Sequence, residues 1–232
     1  MIAGILLCVC TLRLGSAAAD PFSPATFRDG QLPPMPFNSA GVGGGQVLVE
    51  ATIDSGGAVT GVRPLRATPS FTERVAGAIR TWRFAPARER VDAASKQPGG
   101  PEERPVESRV LIAAIFRPPS LIGPTLGEAI RDVGTASTDV PYPISMVTPP
   151  HPPRAAGSGI VLIEAEIGSD GALTKAVMRR STPPFDEAAL GAVRKWTFRP
   201  AQRGRSAVPA VMYIVIGFPV PITSASPVAP GQ

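Results

Sequence analysis

Val47–Ala87 reads VLVEATIDSGGAVTGVRPLRATPSFTERVAGAIRTWRFAPA, and Val161–Ala201 reads VLIEAEIGSDGALTKAVMRRSTPPFDEAALGAVRKWTFRPA. The two stretches align without a gap, and 21 of 41 positions are identical. The only two tryptophans, Trp82 and Trp196, occupy the same repeat position. Solenoid units run to roughly 20–50 residues, and these copies lie much further apart. In a chain of 232 residues the repeat therefore predicts two small domains, each with its own core.

Within one copy the pattern is explicit. Val47, Val49, Ala51 and Ile53 alternate with Leu48, Glu50 and Thr52; Val161, Ile163, Ala165 and Ile167 alternate with Leu162, Glu164 and Glu166. A period of two describes a strand with one buried face. Asp54-Ser55-Gly56-Gly57 and Gly168-Ser169-Asp170-Gly171 tolerate positive φ and predict a hairpin into second strands, Val59–Arg66 and Leu173–Arg180. After Pro69 and Pro183, Phe71, Val75, Ala78, Ile79 and Trp82 recur at helical spacing, as do Phe185, Ala189, Ala192, Val193 and Trp196. That is one amphipathic helix of about three turns, with Thr72 and Asp186 placed to cap it. Phe71 and Trp82 read as core packing rather than cofactor stacking.

Pro86 and Pro200 end regular structure after the helix. Last strands follow, Val110–Phe116 and Met212–Phe218, and they are apolar on both faces. A sheet covered by one helix cannot bury both faces of every strand. The second face calls for another helix, the sister domain or a partner. Copy one carries about 12 extra residues around Glu89–Arg104, charged and rich in Pro, Gly and Ala, which read as a flexible surface loop. Residues 117–140 connect the copies, with a short helical turn expected near Gly127–Val133.

Met1–Ala19 reads as a secretion signal: its apolar run Ile2–Leu12 is short of the ~20 residues a membrane span needs, and Ala17-Ala18-Ala19 suits cleavage before Asp20. Its basic start is missing. Cys8 and Cys10 both lie in this segment, so no disulfide is expected in the mature chain. The net charge of +5 is spread along the sequence. It fits a solvated surface, or weak attraction to anionic envelope polymers. Aromatic content of 6%, at core-like positions, disfavours nucleic acid.

Pro149-Pro150-His151-Pro152-Pro153-Arg154-Ala155, the Asp170-Gly171 turn, Phe185-Asp186-Glu187-Ala188-Ala189-Leu190, the run Ala192–Ala201 with Trp196-Thr197-Phe198-Arg199-Pro200, and Ile214–Phe218 follow in order. This order resembles the carboxy-terminal domain of the TonB family of energy transducers; copy one resembles it more distantly, through Trp82-Arg83-Phe84-Ala85-Pro86-Ala87. The resemblance implies an α+β fold of two tandem small domains, each a three-stranded antiparallel sheet with one or two packed helices. The divisions expected are a signal at 1–19, domains at 33–119 and 141–222, a linker at 120–140 and a disordered tail at 223–232. It also implies a periplasmic module that binds an extended segment of an outer-membrane receptor by sheet-edge addition. Carried onto this sequence, the partner-binding residues are Val110, Leu111, Ile112, Ala113 and Ile115, with Met212, Tyr213, Ile214, Val215 and Ile216. Two features depart from the family: His151 stands where a Tyr is usual, and the membrane helix with its proline-rich spacer is missing, so the chain as numbered is not expected to harvest a proton gradient alone.

No catalytic constellation is present. Outside the leader there is no cysteine and one histidine, His151, which leaves neither a nucleophile–base pair nor a Cys/His metal set, and no cofactor is expected. Glu50 and Glu164 recur on the polar side of a strand and read as solvated or salt-bridged across strands. Gly41–Gly45 lacks the lysine and following helix of a phosphate loop. Three readings remain: a receptor-binding module of the periplasm, associated with energy-dependent transport across the outer membrane; a structural scaffold that pairs its own last strands or binds peptidoglycan; and, resting only on a pocket between domains, an enzyme. The expectation is no enzyme.

Overall fold

The structure, a computed structural model, describes residues 22–35, 44–91, 102–119, 127–129, 136–153, 155 and 157–221. The expected signal with its cysteines and the tail beyond residue 222 lie outside these.

Repeat one begins with short strands β1 (Phe22–Ser23) and β2 (Thr26–Asp29). The predicted hairpin follows as β3 (Gly45–Ile53) and β4 (Val59–Arg66), then α1 (Thr72–Ile79) and β5 (Arg83–Ala85). A hairpin of β6 (Ala87–Val91) and β7 (Glu102–Val106) leads into β8 (Ser108–Phe116). The connection contributes β9 (Gly127–Ala129). Repeat two runs β10 (Tyr142–Val147), β11 (Gly159–Ile167), β12 (Leu173–Arg180), α2 (Asp186–Val193), β13 (Thr197–Arg199), β14 (Ala201–Arg203), β15 (Ser206–Val208) and β16 (Ala210–Phe218).

The α+β character stands, with corrections in detail. The helices make about two turns, because the chain tightens after them: Thr81 N–H donates to Ala78 O and Trp82 N–H to Ile79 O. Thr72 and Asp186 do not cap the helices. They sit one residue inside, and their side-chain oxygens accept from Thr68 N–H at 3.0 Å and Thr182 N–H at 2.8 Å, fixing the preceding turn. The insertion of copy one is not a loop at its base, where β6 and β7 pair from Ala87↔Val106 to Val91↔Glu102; its tip lies outside the described residues. The helical turn expected from Gly127 is instead strand β9, because the free edge of β10 at Ser145–Val147 takes up its backbone groups.

Two contacts shared by the repeats set the hairpin against the helix exit. Gly57 and Gly171 adopt φ of +86° and +81°. A Cβ there would lie 2.0 Å from Phe84 O and 2.4 Å from Phe198 O respectively, so only glycine lets the turn close on that strand. Each tryptophan then ties its helix to the lead-in segment: Trp82 Nε1 donates to Gln31 O, just past β2, at 2.8 Å, and Trp196 Nε1 to Val147 O at the end of β10 at 3.0 Å.

The decisive feature is one six-stranded sheet in the order β12-β11-β16-β8-β3-β4. Its two halves are antiparallel and equivalent, and they meet where β8 and β16 run parallel. The sister copy therefore supplies the missing layer. Val47, Val49, Ala51 and Ile53 of β3 and Val110, Ile112, Ala114 and Phe116 of β8 face α1, and Leu162, Val211, Tyr213 and Val215 of repeat two join that core. On the opposite face, Leu48, Leu111, Ala113 and Ile115 of repeat one join the core under α2. Each helix covers one face of a sheet built by both repeats.

This geometry also fixes the register. Leu111 and Tyr213 are equivalent, since they face Glu50 and Glu164 in their own repeats. Equivalent residues point to opposite faces here, so they cannot lie side by side. The strands pair one residue out of step, Leu111 with Met212 and Phe116 with Gly217.

Candidate functional site

The residues carried over as partner-binding lie at the centre of the sheet. Val110, Leu111, Ile112, Ala113 and Ile115 are all 3% exposed or less, and Met212, Tyr213, Ile214, Val215 and Ile216 are fully buried. The backbone of β8 bonds β3 on one side and β16 on the other; β16 bonds β11 and β8. The open edge expected of these strands is thus occupied on both sides, and the occupant is the sister repeat.

The free edges of the large sheet are β4 and β12. Both are poor templates. Each pairs with its neighbour through two register shifts, near Leu48/Val49 and Thr52/Ile53 in repeat one and Leu162/Ile163 and Glu166/Ile167 in repeat two. Bulges twist an edge out of line, Pro64 removes a donor, and Lys175, Arg179 and Arg180 charge the other strand.

The seam is held by polar groups as well as apolar ones. Glu50 and Glu164 are not solvated; they are 5% and 3% exposed. Their cross-strand ion pairs form, with Arg63 at 3.0 Å and with Arg179 at 2.6 Å. Their remaining capacity crosses the seam. Glu50 Oε2 accepts from Ser137 N–H and Oε1 from Ser137 Oγ, both at 3.0 Å, fastening the segment that leads into repeat two onto the face opposite α1. Burial pushes the Glu50 carboxyl up, but the bonds from Ser137 and Arg63 outweigh it and hold it below its ordinary 4.5.

Glu164 serves the other repeat through a relay. The Tyr213 hydroxyl donates to Glu164 Oε2 at 3.1 Å and accepts from Phe27 N–H at 2.7 Å, with Ala25 O at 3.4 Å. Burial first, and then the Glu164 charge, raise the Tyr213 hydroxyl far above its ordinary 10, so it remains a donor. Around it Phe27, Trp82 and Phe84 pack edge-on or tilted, with centroids 5.6–6.2 Å from the Tyr213 ring. Sequence reasoning missed the clasp. The available signal was a glutamate repeated at one position on a strand whose neighbours across both faces are apolar.

His151 is buried, edge-on to Phe185 at 5.6 Å, with Nδ1 3.0 Å from Pro152 O. It is placed to pack the lead-in of repeat two. Among the described residues no group of three or more His, Cys, Asp or Glu side chains is positioned to hold a metal, and no helix is long and apolar enough to cross a membrane.

Residues 149–219 match the family model described as Gram-negative bacterial TonB protein C-terminal. The match covers the segment from the lead-in prolines to the end of β16. That family is one of protein-interaction domains in envelope energy transduction to outer-membrane receptors. No curated protein matches the chain.

Proposed function

We propose that this protein is a non-catalytic interaction module of the periplasm, made of two TonB C-terminal-type domains locked into one closed scaffold. The observation that carries the proposal is the parallel pairing of β8 with β16 from Met212↔Leu111 to Gly217↔Phe116. The edge that sheet addition would use on the family's last strand is filled by the chain itself.

A magnitude favours the closed scaffold over a receptor-binding edge. Eight side chains cross the seam into the other repeat's core. Burial of a large apolar side chain contributes about 1.5–3 kcal/mol, so parting the repeats costs on the order of 10 kcal/mol. That matches the whole stability of a typical protein, about 5–15 kcal/mol. A short receptor segment adding backbone bonds at ~1 kcal/mol each does not offset it. Partners are then met on the outer surfaces of the scaffold, and the +5 charge favours acidic ones, envelope proteins or the anionic polymers of the wall.

Amide exchange on the intact protein tests this. Backbone amides of β8 and β16 exchange only through global unfolding if the seam is closed, and receptor amino-terminal peptides leave that protection and the thermal midpoint unchanged. Fast exchange along either strand, or saturable peptide binding that perturbs β16, returns the receptor-edge reading.

A further inference from the structure

The seam joins two copies of one repeated sequence pattern, yet its two sides are not interchangeable. Gly217 lies opposite Phe116, and a Cβ on Gly217 would stand 2.5 Å from Phe116 Cδ1. The ring cannot withdraw, because it stacks on Phe71 with centroids 4.6 Å apart. The next neighbour of that Cβ is the Met35 sulfur at 2.8 Å, the end of a flexible side chain that can move. The repeat-one equivalent of Gly217 is Ile115, since Gln46 faces Ile115 and Ile160 faces Gly217 at matching positions of β3 and β11. A seam of repeat one with itself would drive an isoleucine into that ring.

The second asymmetry is polar. Tyr213 satisfies the N–H of Phe27. The equivalent of Tyr213 is Leu111, and the equivalent of Phe27, by its place opposite Phe198 rather than Phe84, is Pro143, which has no N–H to satisfy. Donor meets hydroxyl on one side of the seam; on the other, proline and leucine stand in the same positions. A seam of repeat two with itself would offer the Tyr213 hydroxyl a proline.

We propose that the β16 edge is a recognition surface specific for repeat one, with Gly217 and Tyr213 as its specificity-determining residues. The partner that fits is an extended strand, parallel to β16, that places an aromatic ring opposite Gly217 and is accompanied by a lead-in strand offering a free amide to Tyr213. Both self-pairings are disfavoured, one by steric overlap and one by a buried hydroxyl left short of a donor. The inference rests on the closed scaffold proposed above.

The test is a double-mutant cycle on the full chain, with Gly217→Ile, Phe116→Leu and the two combined, read by denaturant unfolding and by exchange at the β8 and β16 amides. Overpacking of this kind lowers the folding equilibrium constant about 10- to 100-fold. Gly217→Ile is expected to do so in the native background. In the Phe116→Leu background, where the ring is gone and a shorter side chain leaves room, it is expected to cost less than a third of that. If Gly217→Ile alone abolishes folding, recovery of a cooperative transition in the double variant supports the proposal. Additive effects, or a Gly217→Ile chain as stable as the native one, overturn it. Slow exchange in the native chain combined with additive effects leaves the closed scaffold standing and removes only the specificity; fast exchange in the native chain removes the scaffold itself.

Discussion

Replacing Tyr213 with phenylalanine removes one oxygen atom from the middle of the protein. The ring is fully buried, so its packing against Phe27, Trp82 and Phe84 survives and no cavity of consequence opens. What is lost is a bond accepted from Phe27 N–H at 2.7 Å and one donated to Glu164 at 3.1 Å. A buried N–H left without a partner costs about 1–3 kcal/mol. The carboxylate keeps Arg179, at 2.9 Å from Nε and 2.6 Å from Nη2, so its loss is the smaller share, about 1 kcal/mol. The sum is about 2–4 kcal/mol, a fall in midpoint of about 5–15 °C for a chain of this size. Thermal and urea unfolding would show the lower midpoint with an unchanged m-value, since the exposed area on unfolding is the same. Combining Tyr213→Phe with Glu164→Gln should give clear non-additivity. A loss below about 0.5 kcal/mol, the size of a neutral surface change, would refute the view that this hydroxyl fastens the lead-in of one repeat to the sheet of the other.

The Glu50 carboxyl is held below its ordinary 4.5 in the folded protein. Its contribution is therefore present above the unfolded value and is lost as pH falls through the folded value. Stability measured below pH 4.5 should drop, and Glu50→Gln should flatten part of that drop while costing about 1 kcal/mol at neutral pH; an acid limb identical in the two proteins would count against the clasp at Ser137. Gly171→Ala imposes a side chain at φ +81° and 2.4 Å from Phe198 O, and should lower stability by more than the ~1 kcal/mol of a simple glycine effect, with Gly57→Ala matching it in repeat one. Gly159→Ala should act through Phe185, whose ring lies 2.4 Å from where the new carbon would stand, so that Phe185→Leu in the same chain relieves much of the loss in a denaturant titration.

The elements of each repeat were legible because their signals are local. Alternation gave β3 and β11, glycines gave the hairpin turns, and helical spacing gave α1 and α2. The doubly apolar last strands even announced that a second layer was needed, with the sister copy among the choices. The clasp was not legible, because nothing within β11 says that Glu164 will meet a tyrosine of a strand 49 positions later and, through it, a backbone amide 186 positions from that tyrosine. The strand β9 was misread for the same reason. Its sequence has no strong preference, and the edge of β10 decides its conformation. That the expected receptor edge is filled by the sister repeat was not legible, because a resemblance to one domain carries no information on what a second, covalently attached domain does to its edge.

The parallel seam has a consequence for how such a protein can change over generations. In a homodimer both sides of an interface are written by the same codons, so a substitution that suits one side is imposed on the other. Once the two copies share a chain, each side has its own codons. Glycine can stand opposite a phenylalanine while its counterpart is isoleucine, and a tyrosine can stand where its counterpart is leucine. The join between β8 and β16 holds two versions of one strand that have been free to become complements.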